Sequence, residues 1–154
     1  MAKRKIKTVD ISKRRAKGSG SYGRYYRLST TRGVKVLGDE SGGWDRLKDV
    51  DFSEARRELR LLNRAKCRLV PKAFGVVGVY RKGDWYAGIL MEHCEGTTLY
   101  QSRLSDASRD RWLERLEDEF FKLTGMTHGD LHESNVMYHK RKCKIIDFTP
   151  QYVG

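Results

Sequence analysis

The feature that most constrains this chain is the pair of segments at residues 128–137, HGDLHESNVM, and 145–148, IIDF. Within them, Asn135 follows Asp130 by five positions and Asp147 follows Asn135 by twelve. Phosphoryl transfer needs a carboxylate that orients the attacking hydroxyl and accepts its proton, and oxygen ligands that hold magnesium against the phosphates. The pattern predicts Asp130 as the catalytic base, with Asn135 and Asp147 as the magnesium ligands.

The histidines of the same segment allow another interpretation, a zinc site made by His128, Asp130 and His132. The further ligands would have to come from unrelated parts of the chain, which disfavours zinc. We expect His128 to brace the loop instead, and His132 to lie near the transferred phosphate.

A glycine-rich segment with Gly18, Gly20 and Gly23 precedes two predicted strands, at residues 24–28 and 34–37. Such a glycine pattern is a weak signal alone. A dinucleotide-binding turn would need a strand before the glycines and a helix opening within them, and here a strand follows. The order favours a hairpin whose backbone N–H groups lie over nucleotide phosphates.

Lys35 occupies the middle of the returning strand, between Val34 and Val36. Side chains alternate along a strand, so the valines share one face and Lys35 points to the other. There it can neutralise the α and β phosphates of a nucleotide. On the next predicted helix, Glu54 and Glu58 lie one turn apart, and either can pair with Lys35.

The remaining periodicities predict an α+β chain without internal repeats. Two helices are predicted, one at residues 52–66 with Ser53 as its cap and one at 106–123 that Gly125 ends. The other predicted strands are a hairpin at residues 74–80 and 85–92 and two short strands at 136–138 and 144–147.

Charge is concentrated near the start of the chain. The whole sequence has 32 Lys and Arg against 20 Asp and Glu, a net charge of +12, and residues 1–17 hold eight of the basic residues and one acidic residue. We interpret residues 1–17 as a basic N-terminal arm. It is either a solvated segment or a contact for RNA, a ribosome or an acidic protein, since lysine and arginine bind phosphate backbones by counterion release.

The composition of the sequence also indicates the cellular compartment. No apolar run approaches the about 20 residues that span a bilayer, and the basic N-terminus lacks the apolar stretch of a signal peptide. The three cysteines, Cys67, Cys94 and Cys143, contain no C-x-x-C pair. Free thiols, a cytoplasmic location and no membrane partner are therefore expected.

Taken in order, these motifs resemble those of the protein-kinase-like superfamily. Gly129 replaces the arginine of ordinary eukaryotic protein kinases, as in the atypical branches: aminoglycoside phosphotransferases, RIO kinases, lipopolysaccharide-core sugar kinases and the kinase of the KEOPS tRNA-modification complex. The KEOPS kinase is the branch that residues 91–99, MEHCEGTTL, and residues 54–56 resemble most. The resemblance implies ATP and magnesium as cofactors, adenine bound by the backbone around Glu92 and Cys94, and Glu58 as the partner of Lys35.

The fold implied by the resemblance is a minimal two-lobed protein-kinase-like fold. An N-lobe at residues 18–92 would hold an antiparallel five-stranded sheet and one helix, and a truncated, mainly helical C-lobe would occupy residues 93–154. The sequence given ends seven residues after Asp147. We therefore expect no activation segment, no APE-like motif and no peptide-docking helical subdomain.

The function implied is an atypical kinase that moves the γ-phosphate of ATP to a hydroxyl. A protein Ser or Thr, its own included, is the favoured acceptor, and a sugar or other small molecule is an alternative. A different class remains open, a non-catalytic nucleotide-binding module that uses the basic arm to bind RNA, a ribosome or an acidic protein.

Overall fold

A computed structural model describes residues 5–16, 18–20, 23–38, 40–146 and 148. The chain is α+β and divides into two compact units, one within Met1–Leu59 and Ala73–His93, the other within Arg60–Lys72 and Cys94–Gly154. Residues 60–72 fall in the second unit, whereas the predicted N-lobe included them.

The first unit is built on a mixed six-stranded sheet with the strand order β1-β5-β6-β4-β3-β2. Its strands are β1 (Thr8–Asp10), β2 (Gly18–Gly20), β3 (Gly23–Arg27), β4 (Arg32–Leu37), β5 (Ala73–Arg81) and β6 (Asp84–Glu92). Neighbouring strands are antiparallel except β1 and β5, which are parallel. The five strands within residues 18–92 are antiparallel to their neighbours, as predicted, but the prediction missed β1, which adds a sixth strand in parallel.

Strand β1 lies inside the segment interpreted as a basic arm. Thr8 pairs with Gly78 and Asp10 with Tyr80, and the following Ile11 is fully buried in a core cluster of valines and tyrosines from the sheet. Val9 and Ile11 alternate with polar residues, which is a strand signal. The many basic residues around them favoured the interpretation of a solvated arm instead.

Helix α1 (Ser53–Arg64) connects β4 to β5 in the sequence. A carboxylate oxygen of Asp51 accepts hydrogen bonds from the backbone N–H and the hydroxyl of Ser53. These bonds lower the pKa of Asp51 below its ordinary value. Asp51 is therefore the acceptor for a backbone N–H at the start of the helix, whereas Ser53 was predicted to be the cap.

The second unit contains helix α2 (Asp106–Thr124). The hydroxyl of Ser105 caps its start by accepting the N–H of Ser108 at 3.2 Å, and Gly125 ends it in the left-handed conformation with φ of 72°. Leu116 and Phe120 are its buried residues. Neither this helix nor any other in the described part of the chain is long and apolar enough to cross a membrane.

A small antiparallel sheet completes the second unit. Its strands are β7 (Thr97–Thr98), β8 (Val136–His139) and β9 (Lys142–Ile145), with β8 in the centre. Strand β7 was not predicted, because two threonines are too short a run to show periodicity. Pairing of Thr97 with Tyr138 places β7 beside β8, the strand that follows residues 128–135, the predicted catalytic loop.

Gly96 immediately precedes β7, and we expect Gly96→Ala to lower the free energy of unfolding by about 3 kcal/mol. Its φ is +100°, and an added Cβ would overlap the carbonyl oxygen of Tyr138. Gly125→Ala is the matched control, because Gly125 also has a positive φ but has open space around it. It should cost only about 1 kcal/mol. Urea denaturation measures both, and equal losses would contradict the steric explanation.

Candidate functional site

The predicted catalytic loop closes on itself through the one-turn 3-10 helix Glu133–Asn135. Nδ1 of His132 accepts the backbone N–H of Ser134 at 3.2 Å, and Oδ1 of Asn135 accepts the backbone N–H of His132 at 3.0 Å. This reciprocal pair is a capping box. These local contacts stabilise the conformation of the loop.

Asn135 and Asp130, predicted to act together, are brought together by the structure. The side-chain amide nitrogen of Asn135 donates to the backbone oxygen of Asp130 at 2.6 Å. The Asn135 side chain is buried, whereas the Asp130 side chain is 47% exposed. The buried amide thus fixes the backbone of Asp130 and leaves its carboxylate open to solvent.

His128 supports the predicted catalytic loop through its ring and its Nδ1 atom. It is buried, its Nδ1 accepts the backbone N–H of Asp130 at 3.3 Å, and its ring packs against Phe120 of α2 and Phe148. The ring centroids lie 5.1 Å apart for His128 and Phe148, and 5.9 Å apart for Phe120 and Phe148. An aromatic cluster therefore supports the backbone that carries Asp130.

His132 lies beside Asp130, with its Nε2 3.9 Å from a carboxylate oxygen. Both side chains are about half exposed. The expected position of His132 near a transferred phosphate stays a prediction.

The predicted magnesium ligands are Asn135 and Asp147, and Asp147 lies outside the described residues. The amide nitrogen of Asn135 is committed to Asp130, and its oxygen accepts one N–H, which leaves one lone pair for another partner. An amide oxygen so oriented fits magnesium, which binds oxygen ligands. The backbone N–H of Ile146 donates to the backbone oxygen of Asn135 at 2.9 Å, so the segment before Asp147 runs beside this residue.

No three His, Cys, Asp or Glu side chains are grouped as metal ligands within the part of the chain that the structure describes. His128 and His132 instead direct their Nδ1 atoms to backbone N–H groups of the loop. The contact of His128 is the bracing of the loop that the sequence predicted for this residue.

In the first unit, Nζ of Lys35 lies 2.9 Å from Oε1 of Glu58. The side chains are 13% and 8% exposed, so the pair is largely withdrawn from water. Glu54, the other candidate partner, is exposed. Strand β4 and helix α1 therefore place the lysine ammonium beside the buried carboxylate of Glu58.

The glycine-rich segment forms a hairpin. Gly18 pairs with Tyr25 and Gly20 with Gly23, so the glycines contribute strand β2 and the start of β3. Residues 21 and 22, between the two strands, lie outside the described residues.

The residues predicted to hold adenine lie at the end of β6. Glu92 is the last residue of that strand and lies opposite Arg32 of β4 in the sheet register. The partly buried Cys94 follows after one residue. Between them, His93 accepts or donates a 2.7 Å hydrogen bond at Nδ1 with the hydroxyl of Tyr25, and the two rings stack. Sequence reasoning missed this contact, because 68 residues separate its members.

Cys143 is the most deeply placed of the three thiols. It is buried in β9, and burial raises its pKa to about 11. A thiol that stays protonated near neutral pH is a poor nucleophile, so Cys143 has the character of a core residue.

A comparison with protein families finds a match to the RIO domain over residues 40–154. The match covers the catalytic-loop motif, Asp147 and Glu58, and begins after the glycine hairpin and Lys35. RIO kinases are one of the four branches that the motifs resemble, although residues 91–99 leaned toward the KEOPS kinase. With most of its length matched, the chain belongs to the RIO domain family, a family of atypical protein kinases.

Proposed function

We propose that this chain is an ATP- and magnesium-dependent phosphotransferase that moves the γ-phosphate to a hydroxyl group. The observation that carries the proposal is the self-closed catalytic loop, in which the buried Asn135 amide holds the backbone of a solvent-open Asp130. Membership of the RIO domain family supports the same reaction class.

Asp130 is the proposed base. Its carboxylate orients the acceptor hydroxyl and takes the proton as the oxygen forms a bond to the γ-phosphorus, while the bond from phosphorus to the β–γ bridging oxygen breaks and ADP leaves. Its exposure gives an acceptor access to that carboxylate.

Asn135 and Asp147 are the proposed magnesium ligands. Magnesium, when bound, supplies charge neutralisation between the phosphates. The chain's contribution is the fixed direction of the Asn135 amide, because its two hydrogen bonds leave the oxygen little rotational freedom.

Lys35 is the proposed contact for the α and β phosphates. Its ion pair with Glu58 holds the ammonium at a defined position on β4, which lowers the entropic cost of binding a phosphate there. The N–H groups of the hairpin that includes Gly18, Gly20 and Gly23 are proposed to cover the phosphates, and the backbone at Glu92 and Cys94 to bind adenine.

The proposed acceptor is a protein Ser or Thr, including residues of this chain, with a sugar or other small hydroxyl compound as the alternative. Incubation with γ-labelled ATP and magnesium, followed by acid hydrolysis of the protein, distinguishes them. Phosphoserine or phosphothreonine in the hydrolysate supports the first acceptor. Label only in added small hydroxyl compounds supports the alternative, and label in neither, with nucleotide still raising the melting temperature, contradicts a phosphotransferase.

A second candidate function is RNA binding by a basic cleft in the first unit. Arg14, Arg15 and Arg27 line a cavity of about 460 Å³ together with residues 28–30 of the β3–β4 turn. Arg14 donates to the backbone oxygen of Arg27 at 3.0 Å, and Arg27 donates to that of Ser29 at 3.0 Å. Backbone oxygens thus hold the guanidinium groups of Arg14 and Arg27 at the cleft, and arginine is a common contact for phosphate oxygens.

The RNA function predicts that Arg14→Gln with Arg15→Gln weakens binding to single-stranded RNA. Because this double variant removes two phosphate-binding charges, the slope of log affinity against log salt should become shallower by about 1.4. Arg57→Gln with Lys72→Gln removes the same charge from exposed positions outside the cleft and is the matched control. Equal weakening in both double variants would show a non-specific charge effect and contradict an RNA site at the cleft.

A further inference from the structure

We infer that Arg109 of α2 is a positioning residue for the catalytic loop, acting through Glu133. The inference rests on the proposed phosphotransferase function, in which residues 130 and 135 must keep a fixed geometry. Arg109 lies outside the loop motif, 24 residues before Glu133, and no sequence pattern pointed to it.

The guanidinium of Arg109 makes three directed contacts. Its Nε donates to the backbone oxygen of Leu104 at 3.0 Å, one terminal nitrogen lies 3.5 Å from the carboxylate of Asp106, and the other lies 3.3 Å from Oε2 of Glu133. The first two contacts fix the guanidinium at the start of its own helix, on Asp106 and on Leu104 just before it. The third joins that turn to the catalytic loop.

Glu133 occupies the middle of the loop, between Asp130 and Asn135. Its backbone oxygen accepts the N–H of Tyr100 at 3.1 Å, so both its backbone and its side chain are held from outside the loop. The contacts inside the loop fix residues 130 to 135 relative to one another. The contacts of Glu133 fix that unit relative to α2 and to the chain before it.

Burial separates this ion pair from others on the same helix. The Arg109 and Glu133 side chains are 19% and 26% exposed, whereas Arg115, which pairs with Glu119 at 3.9 Å, is 67% exposed. Exposed pairs contribute little, because solvent screens them and the side chains lose entropy. A partly buried arginine with three anchored nitrogens loses less entropy in holding its partner.

The experiment compares Arg109→Met, Glu133→Gln and the exchanged pair Arg109→Glu with Glu133→Arg against the control Arg115→Met. Steady-state transfer from ATP gives kcat and the KM for ATP. Amide hydrogen exchange of residues 131–135 reports the loop in the absence of turnover, and urea denaturation shows whether each variant is folded.

We expect Arg109→Met and Glu133→Gln each to lower kcat by about 10- to 100-fold, with KM for ATP changed by less than about threefold. Exchange in residues 131–135 should become about tenfold faster in both, and Arg115→Met should match the wild type. The exchanged pair should recover at least part of the lost kcat, since it restores the opposite charges.

Two results would overturn the inference: kcat and loop exchange in Glu133→Gln that match those of Arg115→Met, or a fall in kcat that only follows the loss of stability. A wild type without transfer would count against the proposed function alone. In that case faster loop exchange in Glu133→Gln still supports the positioning contact, and unchanged exchange refutes it.

Discussion

Asp130→Asn should lower the rate of γ-phosphate transfer by about 10²- to 10⁴-fold, because an amide cannot accept the proton of the attacking hydroxyl. The loop should persist in the variant. Its hydrogen bonds at residue 130 use the backbone N–H, which donates to His128, and the backbone oxygen, which accepts from Asn135. Neither group is changed by the substitution, so a slower transfer would report chemistry and not folding.

The measurement is single-turnover transfer with ATP and magnesium at saturating nucleotide, together with the shift in melting temperature that nucleotide produces. Asp110→Asn is the control, since Asp110 is an exposed carboxylate on α2. It should transfer at the wild-type rate. An Asp130→Asn variant that also transfers at that rate would exclude Asp130 as the base.

Lys35→Met should affect both transfer and stability. Loss of one preorganised charge on the phosphates is expected to lower kcat/KM for ATP by about 10²- to 10³-fold. Removal of the ammonium also leaves the buried Glu58 carboxylate without the lysine that lies 2.9 Å away. Breaking one side of a buried pair costs about 3 kcal/mol of unfolding free energy.

A second substitution separates the two effects. Lys35→Met combined with Glu58→Gln removes both charges, so about 2 kcal/mol of stability should return while transfer stays low. Lys72→Met removes an exposed lysine and should change neither quantity. Recovery of transfer in the Lys35→Met, Glu58→Gln variant would show that Lys35 serves stability and not the nucleotide.

Much of the candidate site was predictable because its information is local or ordered along the chain. Asp130 and Asn135 meet through a loop whose hydrogen bonds span five residues or fewer. Periodicity identified β4 and α1, and their order predicted that Lys35 faces a glutamate of the helix. Helix periodicity alone left Glu54 and Glu58 equal, and the kinase resemblance favoured Glu58. Packing in the structure buries Glu58 beside Lys35 and leaves Glu54 exposed.

The features of the structure that the sequence did not predict depend on contacts between residues far apart in the chain. Ile11 reveals β1 only when it is seen in the sheet core, since a short strand among basic residues resembles a solvated arm. The ion pair of Arg109 with Glu133 and the contact of Tyr25 with His93 join elements that no period relates. Such pairings are set by the tertiary fold, which local propensity does not encode.

The central claim is that this chain transfers phosphate, and covalent label from γ-labelled ATP in the presence of magnesium tests it most directly. The wild type and Asp130→Asn are compared at equal nucleotide occupancy, established by the melting shift. The account predicts label on a hydroxyl acceptor with the wild type and at least about a hundredfold less with the variant. Label no higher with the wild type than with Asp130→Asn, while both proteins bind the nucleotide, would contradict it.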